Sequence, residues 1–278
     1  MIIALLSWYD EKPDWLFHLG YSLQNMGVRH LVALDGAYRR LEGGKNCSLD
    51  EQRRSIADGA TAGGCGVTVS KPDSPWDSEM QKRTALFEYG KRALADYGRA
   101  PSADNHDDWF LIIDADEYVH HAPDDLQQQL REASENNFFA VEGRVFTPRP
   151  DNKPWHPESW ASYRKMFRAL PDLHVVGRHW QYVAQGQILW GPPSMGPAPA
   201  VEIPDLQIVH RLRPHDKRRI QQLEYYKSRD KAGDEFDICD VENCESKATQ
   251  LFEDHTRTCR IHGHDHGLRT GTKSSSFL

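Results

Sequence analysis

Five apolar residues, Trp109 to Ile113, run without a break into an acidic cluster of Asp114, Asp116 and Glu117. A run this short, bounded by turn chemistry, reads as a buried strand rather than a helix. In open α/β sheets, ligands bind outside the carboxyl ends of the strands, so the cluster is predicted to sit where a ligand would. Two carboxylates separated by one residue both reach a hard divalent ion through oxygen, and such an ion keeps positions open for substrate phosphates. The competing reading makes Asp114 a helix cap and Asp116 a solvated turn residue.

The flanking pattern supplies the sheet. Ile2 to Ser7 reads as a strand and Pro13 to Met26 as a helix, with Trp15, Leu16, Leu19, Leu23 and Met26 spaced along one apolar face. Val28 to Leu34 reads as a second strand, ending in Asp35 and Gly36. A polar, glycine-rich passage spans Asn46 to Gly66, followed by a strand at Val67 to Ser70 and a long helix at Ser78 to Tyr97. Alternation of strand and helix predicts right-handed crossovers and a mostly parallel sheet with helices on both faces.

Past Pro123 the pattern changes. A helix is expected from Asp124 to Ser134, then strands at Phe138 to Phe146, Tyr163 to Arg168, His174 to Val176 and Leu206 to Val209. Proline-rich turns separate them, so this half reads as mixed or antiparallel. Trp190 to Pro199 holds four prolines and two glycines, which rules out regular structure and suits either a surface connector or a flap. A basic amphipathic helix is expected from Pro214 to Arg229.

With 278 residues, the chain suffices for one large α/β domain with an appendage, because single cores stop growing at roughly 250 to 300 residues. A formal charge of -7 and a hydrophobic fraction of 38% describe an acidic globular protein rather than a general nucleic-acid binder. Met1 to Leu6 lacks a basic flank and is too short for a signal sequence, and no segment approaches the roughly 20 apolar residues of a membrane span. A cytoplasmic location is expected. Five cysteines form no compact disulfide framework.

Four segments together carry a resemblance. SWYDEKPDWL near the start, ALDGAY at Ala33 to Tyr38, SEMQKR at Ser78 to Arg83 and FLIIDADEYV at Phe110 to Val119 resemble, in order and context, a family 2-like glycosyltransferase with a GT-A fold. The resemblance covers roughly the first 120 residues and the strand around His210. It implies a three-layer sandwich and transfer of a sugar from a nucleotide-diphosphate donor. Mn2+ or Mg2+ would be held on the diphosphate by Asp114 and Asp116, with His210 as a third ligand. The implied donor contacts are Ser7, Tyr9, Glu11, Asp35, Lys82, Arg83, Asp114 and Ala115.

Several of these positions also have a local physical rationale. Lys82 and Arg83 lie in the first half of a helix, where cations oppose the macrodipole, and an arginine fork suits phosphate oxygens. Asp35 opens an Asp-Gly dipeptide, which serves equally as a turn. Asp10 can cap the following helix. For a base in the acceptor half the candidates are Glu142, Glu158 and Asp172, none selected by a signature. Trp155, Trp160, Trp180 and Trp190 in that half suit sugar stacking or an ordinary core. The acceptor class stays open among a glycan, a protein and a modified nucleobase in DNA.

The tail carries a separate signal. Cys239 and Cys244 are separated by four residues, and Cys259 and His262 by two, spacings compatible with one structural Zn2+ site that would staple a small C-terminal appendage. Free thiols are the alternative, with His264 and His266 as rival ligands. The division expected is 1–229 for the GT-A-like domain (1–120 nucleotide-sugar half, 121–229 acceptor half) and 230–278 for the tail. Two other function classes compete with sugar transfer: a metal-dependent phosphohydrolase acting on nucleotides, which uses acidic strand tips, and a zinc-containing nucleic-acid-binding module.

Overall fold

The computed structural model describes residues 1–37, 47–77, 79–146, 160–176, 181–190 and 197–211, together with the backbone of three short strands after residue 249. The chain divides into two compact units: Met1–His174 with Tyr182–Arg213, and Val175–Gln181 with Pro214–Leu278. In the second unit, Gln250–Phe252 pairs antiparallel with both Arg257–Thr258 and Ser274–Ser276. The expected division at Arg229, the helix Pro214 to Arg229, Glu158, Trp155, Trp180 and the side chains of Cys239, Cys244, Cys259 and His262 lie outside the described residues.

The first unit is mixed α/β. The elements in chain order are β1 (Ile2–Ser7), α1 (Pro13–Ser22), β2 (His30–Leu34), α2 (Asp50–Ala62), β3 (Gly66–Ser70), α3 (Glu79–Asp96), β4 (Trp109–Asp114), β5 (Glu117–His121), α4 (Leu126–Glu135), β6 (Ala140–Phe146), β7 (Trp160–Arg168), β8 (His174–Val175, whose second residue belongs to the other unit), β9 (Tyr182–Ala184), β10 (Gln187–Trp190) and β11 (Val201–His210). An eight-stranded sheet runs in the order β3-β2-β1-β4-β7-β6-β11-β5. Four of its seven pairings are parallel, β2–β3, β1–β2, β1–β4 and β6–β11. The antiparallel three are β4–β7, β6–β7 and β5–β11. The mostly parallel sheet and the mixed second half are as expected.

Alternate residues of the central strands feed the two faces. Ile2, Ala4 and Leu6 of β1 and Trp109, Leu111 and Ile113 of β4 join one cluster with Leu16 and Leu19 of α1, Ile56 and Ala60 of α2, and Leu126 and Leu130 of α4. On the other face Phe87 of α3 packs on Phe110 and Tyr182, with ring centroids 5.9 and 5.4 Å apart, and Gly90 abuts Leu5 and Phe110. Helices therefore cover both faces, giving three layers.

Helix α2 was not expected; it occupies the polar, glycine-rich passage between β2 and β3. Its buried stripe is Gln52, Ile56, Gly59 and Ala60, too small and too polar to stand out as an apolar face. Small size is what its position requires. A Cβ on Gly59 would lie 2.2 Å from the Phe17 carbonyl oxygen, and one on Gly20 would lie 2.6 Å from the Ala60 nitrogen, so α1 and α2 touch backbone to backbone. Helix α1 begins with Pro13 after Lys12, so Asp10, expected as its cap, is displaced to a left-handed turn with φ 49°. Strand β11 starts earlier than expected; Pro204 lies inside it, and its ladder to β6 is interrupted between Glu202 and Gln207, as a residue without an N–H dictates.

Helix propensity alone would have Gly59→Ala gain about 1 kcal/mol. The clash reverses the sign: the substitution should cost about 1–3 kcal/mol net, read as a lower midpoint in chemical denaturation. A midpoint at or above wild type would contradict the close crossing.

Candidate functional site

Register places the parts. Ser7 of β1 is level with Leu34 of β2 and with Asp114 of β4, so the segments after these strands emerge together at the carboxyl edge. On the far side His210, the last residue of β11, pairs with Glu117, the first of β5. Asp114, Asp116 and His210 are thereby brought to one place.

Their contacts are specific. His210 Nε2 lies 3.1 Å from Asp116 Oδ2, and this hydrogen bond, helped by the neighbouring carboxylates, holds the imidazole above its ordinary range against its partial burial. Arg83 Nη2 lies 3.3 Å from Asp114 Oδ1, while its Nε is 3.4 Å from Glu79. Lys165 Nζ stands 3.7 Å from Asp114 Oδ2. Both Asp114 oxygens are thus faced by cations. Asp114 itself remains 44% exposed, whereas Asp116 is nearly closed off. Ala115 between them is buried.

Lys82 and Asp35 prove to be inward-facing. Lys82 Nζ donates to the carbonyls of Trp8, at 2.5 Å, and Gly36, at 2.8 Å, tying the segments that follow β1 and β2. Only 1% of it is exposed, and burial pushes its ammonium down to about 7, against the pull of the Asp35 carboxylate. Asp35 accepts from Gly36 N–H, Ser48 N–H, the Ser48 hydroxyl and Arg53 Nη1, at 2.7, 2.9, 2.5 and 3.0 Å. Four donors fill the acceptor directions of a carboxylate, so this aspartate organises the edge from within. Its neighbour Gly36 adopts φ +119°, and a Cβ there would sit 2.5 Å from Pro72 and 2.8 Å from Trp76 Nε1.

The start of α2, unseen in sequence, ties the same loops. Ser48 Oγ accepts from Asp10 N–H at 2.7 Å, and Gln52 Nε2 donates to the Glu11 carbonyl at 2.6 Å. Glu11 is buried, Tyr9 half-buried, and the Ser7 hydroxyl is buried with no hydrogen-bond partner among the described residues. Arg211 was also missed. Its N–H donates to the Asp116 carbonyl at 2.6 Å, and its guanidinium lies over Trp15 and Tyr118, 5.2 and 4.9 Å from the ring centroids, which anchors the end of β11 beside the tip. No motif marks this residue; adjacency to His210 is its only sequence signal.

The base candidates separate. Asp172 follows β7, whose end is level with Trp109 at the opposite end of β4, and it accepts from Gln185 N–H and Nε2 at 2.6 and 3.0 Å. It holds a distant turn rather than facing the tip. Glu142 accepts from Arg164 Nε at 3.0 Å on neighbouring strands.

Among the described residues no three His, Cys, Asp or Glu side chains already form a metal cage. No described helix is long and apolar enough to cross a membrane.

No family model matches the chain, and no curated protein matches it. Among solved structures, a glycosyltransferase involved in the glycosylation of the major capsid of PBCV-1 is similar at 10% identity and a TM-score of 0.34, over 81% of this chain and 98% of that one. A mycobacterial protein is similar at 12% identity and a TM-score of 0.35, over 93% of this chain and 82% of that one. Both scores are too low to carry a role from either protein to this one.

Lys82 sets a pH signature. Between about pH 7 and 10.5 the unfolded chain holds the Lys82 proton and the folded chain does not, so folding stability rises with pH across that window, by up to about 1.4 kcal/mol per pH unit, and the gain is lost as pH falls through the folded value. Lys82→Met should flatten this slope in urea titrations at stepped pH. Parallel slopes for the two proteins would contradict the burial of the charge.

Proposed function

We propose that the protein is a glycosyltransferase that takes a sugar from a nucleotide-diphosphate donor at the edge formed by β1, β4 and β11. The observation that carries this reading is the convergence of the Asp114 and Asp116 tip with His210, far from it in sequence, and with Arg83 and Lys165 on the Asp114 carboxylate.

A divalent cation belongs to the proposal. Two carboxylates and one imidazole suit Mn2+, and less naturally Mg2+; Asp114, Asp116 and His210 would hold the ion once His210 gives up its contact with Asp116. When bound, such an ion neutralises negative charge on a departing phosphate. The remaining work falls to side chains. Arg83 supplies a planar fork of donors suited to phosphate oxygens, and the Ser7 hydroxyl supplies a donor at the neighbouring strand end. Lys82 and Asp35 hold the loops after β1 and β2 rather than touching donor directly, so their loss should act through disorder of Tyr9 and Glu11. The donor sugar is a hexose or pentose, and the acceptor a glycan, a protein or a nucleobase in modified DNA.

Thermal unfolding with Mn2+ and a panel of nucleoside diphosphates tests the reading. At a ligand concentration of about 100 Kd, stabilisation of about 2.7 kcal/mol, or roughly 5 °C or more, is expected for one base. Asp116→Ala should abolish the rise, and the matching sugar nucleotide should be slowly hydrolysed by the wild type. Stabilisation by none of the nucleotides, with the protein folded, would contradict it.

A further inference from the structure

Lys165 lies on β7, which none of the sequence motifs touches. Its ammonium donates to both carboxylate oxygens of Glu117, at 2.7 and 2.8 Å. Glu117 Oε2 in turn accepts the backbone N–H of Asp114 at 2.9 Å, closing the turn Asp114 to Glu117 from inside. The two side chains are only 11% and 5% exposed. Burial opposes the lysine charge, but the Glu117 and Asp114 carboxylates outweigh it and hold the ammonium above its ordinary range.

Such a pair is not explained by stability. Replacing a buried ion pair with apolar groups of similar volume is often neutral or stabilising, because desolvation offsets the mutual attraction. What the pair does supply is geometry. It fixes the Asp114 N–H, joins the end of β4 to β7, and sets a cation against one Asp114 oxygen while Arg83 faces the other. A carboxylate held in this way presents one orientation to the edge.

We propose that Lys165 and Glu117 are positioning residues that aim the Asp114 carboxylate at the cation of the donor diphosphate, an inference that rests on the function proposed above. Supporting groups behind a metal ligand typically change ion affinity by about 10- to 100-fold when removed.

The test measures Mn2+ binding, by the electron paramagnetic resonance of the free ion, with Mn2+ alone and with Mn2+ plus inorganic pyrophosphate, and melting temperature in parallel. Lys165→Met strands Glu117 and should lower stability. The double variant Lys165→Met with Glu117→Gln removes one charge of each sign, so the net field at the tip is nearly unchanged and no buried charge is left alone. Its melting temperature should return to within a few degrees of wild type, yet its Mn2+ affinity should stay at least about 10-fold weaker. Glu117→Asp keeps both charges but shortens the arm; it should also weaken Mn2+ about 10-fold, covering the case in which the double variant does not fold. Wild-type affinity in either folded variant would overturn the positioning role while leaving the proposed function standing. No Mn2+ binding by the wild type, with or without pyrophosphate, would overturn both.

Discussion

The whole arrangement depends on the alignment of parallel strands at one sheet edge. Because β1 is flanked by β2 and β4, with Ser7 level with both Leu34 and Asp114, three segments leave the sheet at the same height. Side-chain periodicity makes a register slip of one residue costly, since it would turn Leu6 and Ile113 away from the cluster they share with α1 and α2. The polar residues at the edge thus inherit their positions from the apolar packing beneath them. Lys82 adds a direct brace, one ammonium shared by the carbonyls after β1 and β2.

Charge at this edge is arranged in two tiers. The inner tier is closed off and self-satisfied: Asp35 with Arg53 and Ser48, Glu117 with Lys165. The outer tier is Asp114, Asp116, His210 and Arg83, of which Asp114 and His210 are partly exposed while Asp116 and Arg83 are buried beside them. Stranding one partner of an inner pair costs about 3–5 kcal/mol, because an uncompensated charge stays buried. Lys82 and Asp35, expected to contact donor, are both engaged within the protein, Lys82 by the Trp8 and Gly36 carbonyls and Asp35 by Ser48 and Arg53.

The legible parts of the sequence were those where apolar periodicity is strong. Strand β1 has the expected bounds, β4 extends the expected run by one residue, and α3 differs from its expected span by one residue at each end. The place of the acidic residues was legible because they follow directly on a continuous apolar run, which puts them at the end of β4. Helix α2 was hidden because its contact face is built from Gly59 and Ala60, whose value lies in what they lack. Strand β5 was hidden because its five residues alternate little and it is defined by pairing with β11. Lys165 was illegible for a different reason: its role depends on β7 returning antiparallel beside β4, a non-local pairing that no local pattern announces. Arg211 likewise takes its meaning from Trp15 and Tyr118, residues far away in the chain.

The most direct measurement is anomalous diffraction from crystals containing Mn2+ and a nucleoside diphosphate. One manganese peak is expected, coordinated by Asp114 and Asp116 at the end of β4, with diphosphate oxygens completing its shell and Lys165 still seated on Glu117. A manganese ion bound elsewhere with the diphosphate, while both aspartates face only protein and solvent, would contradict it.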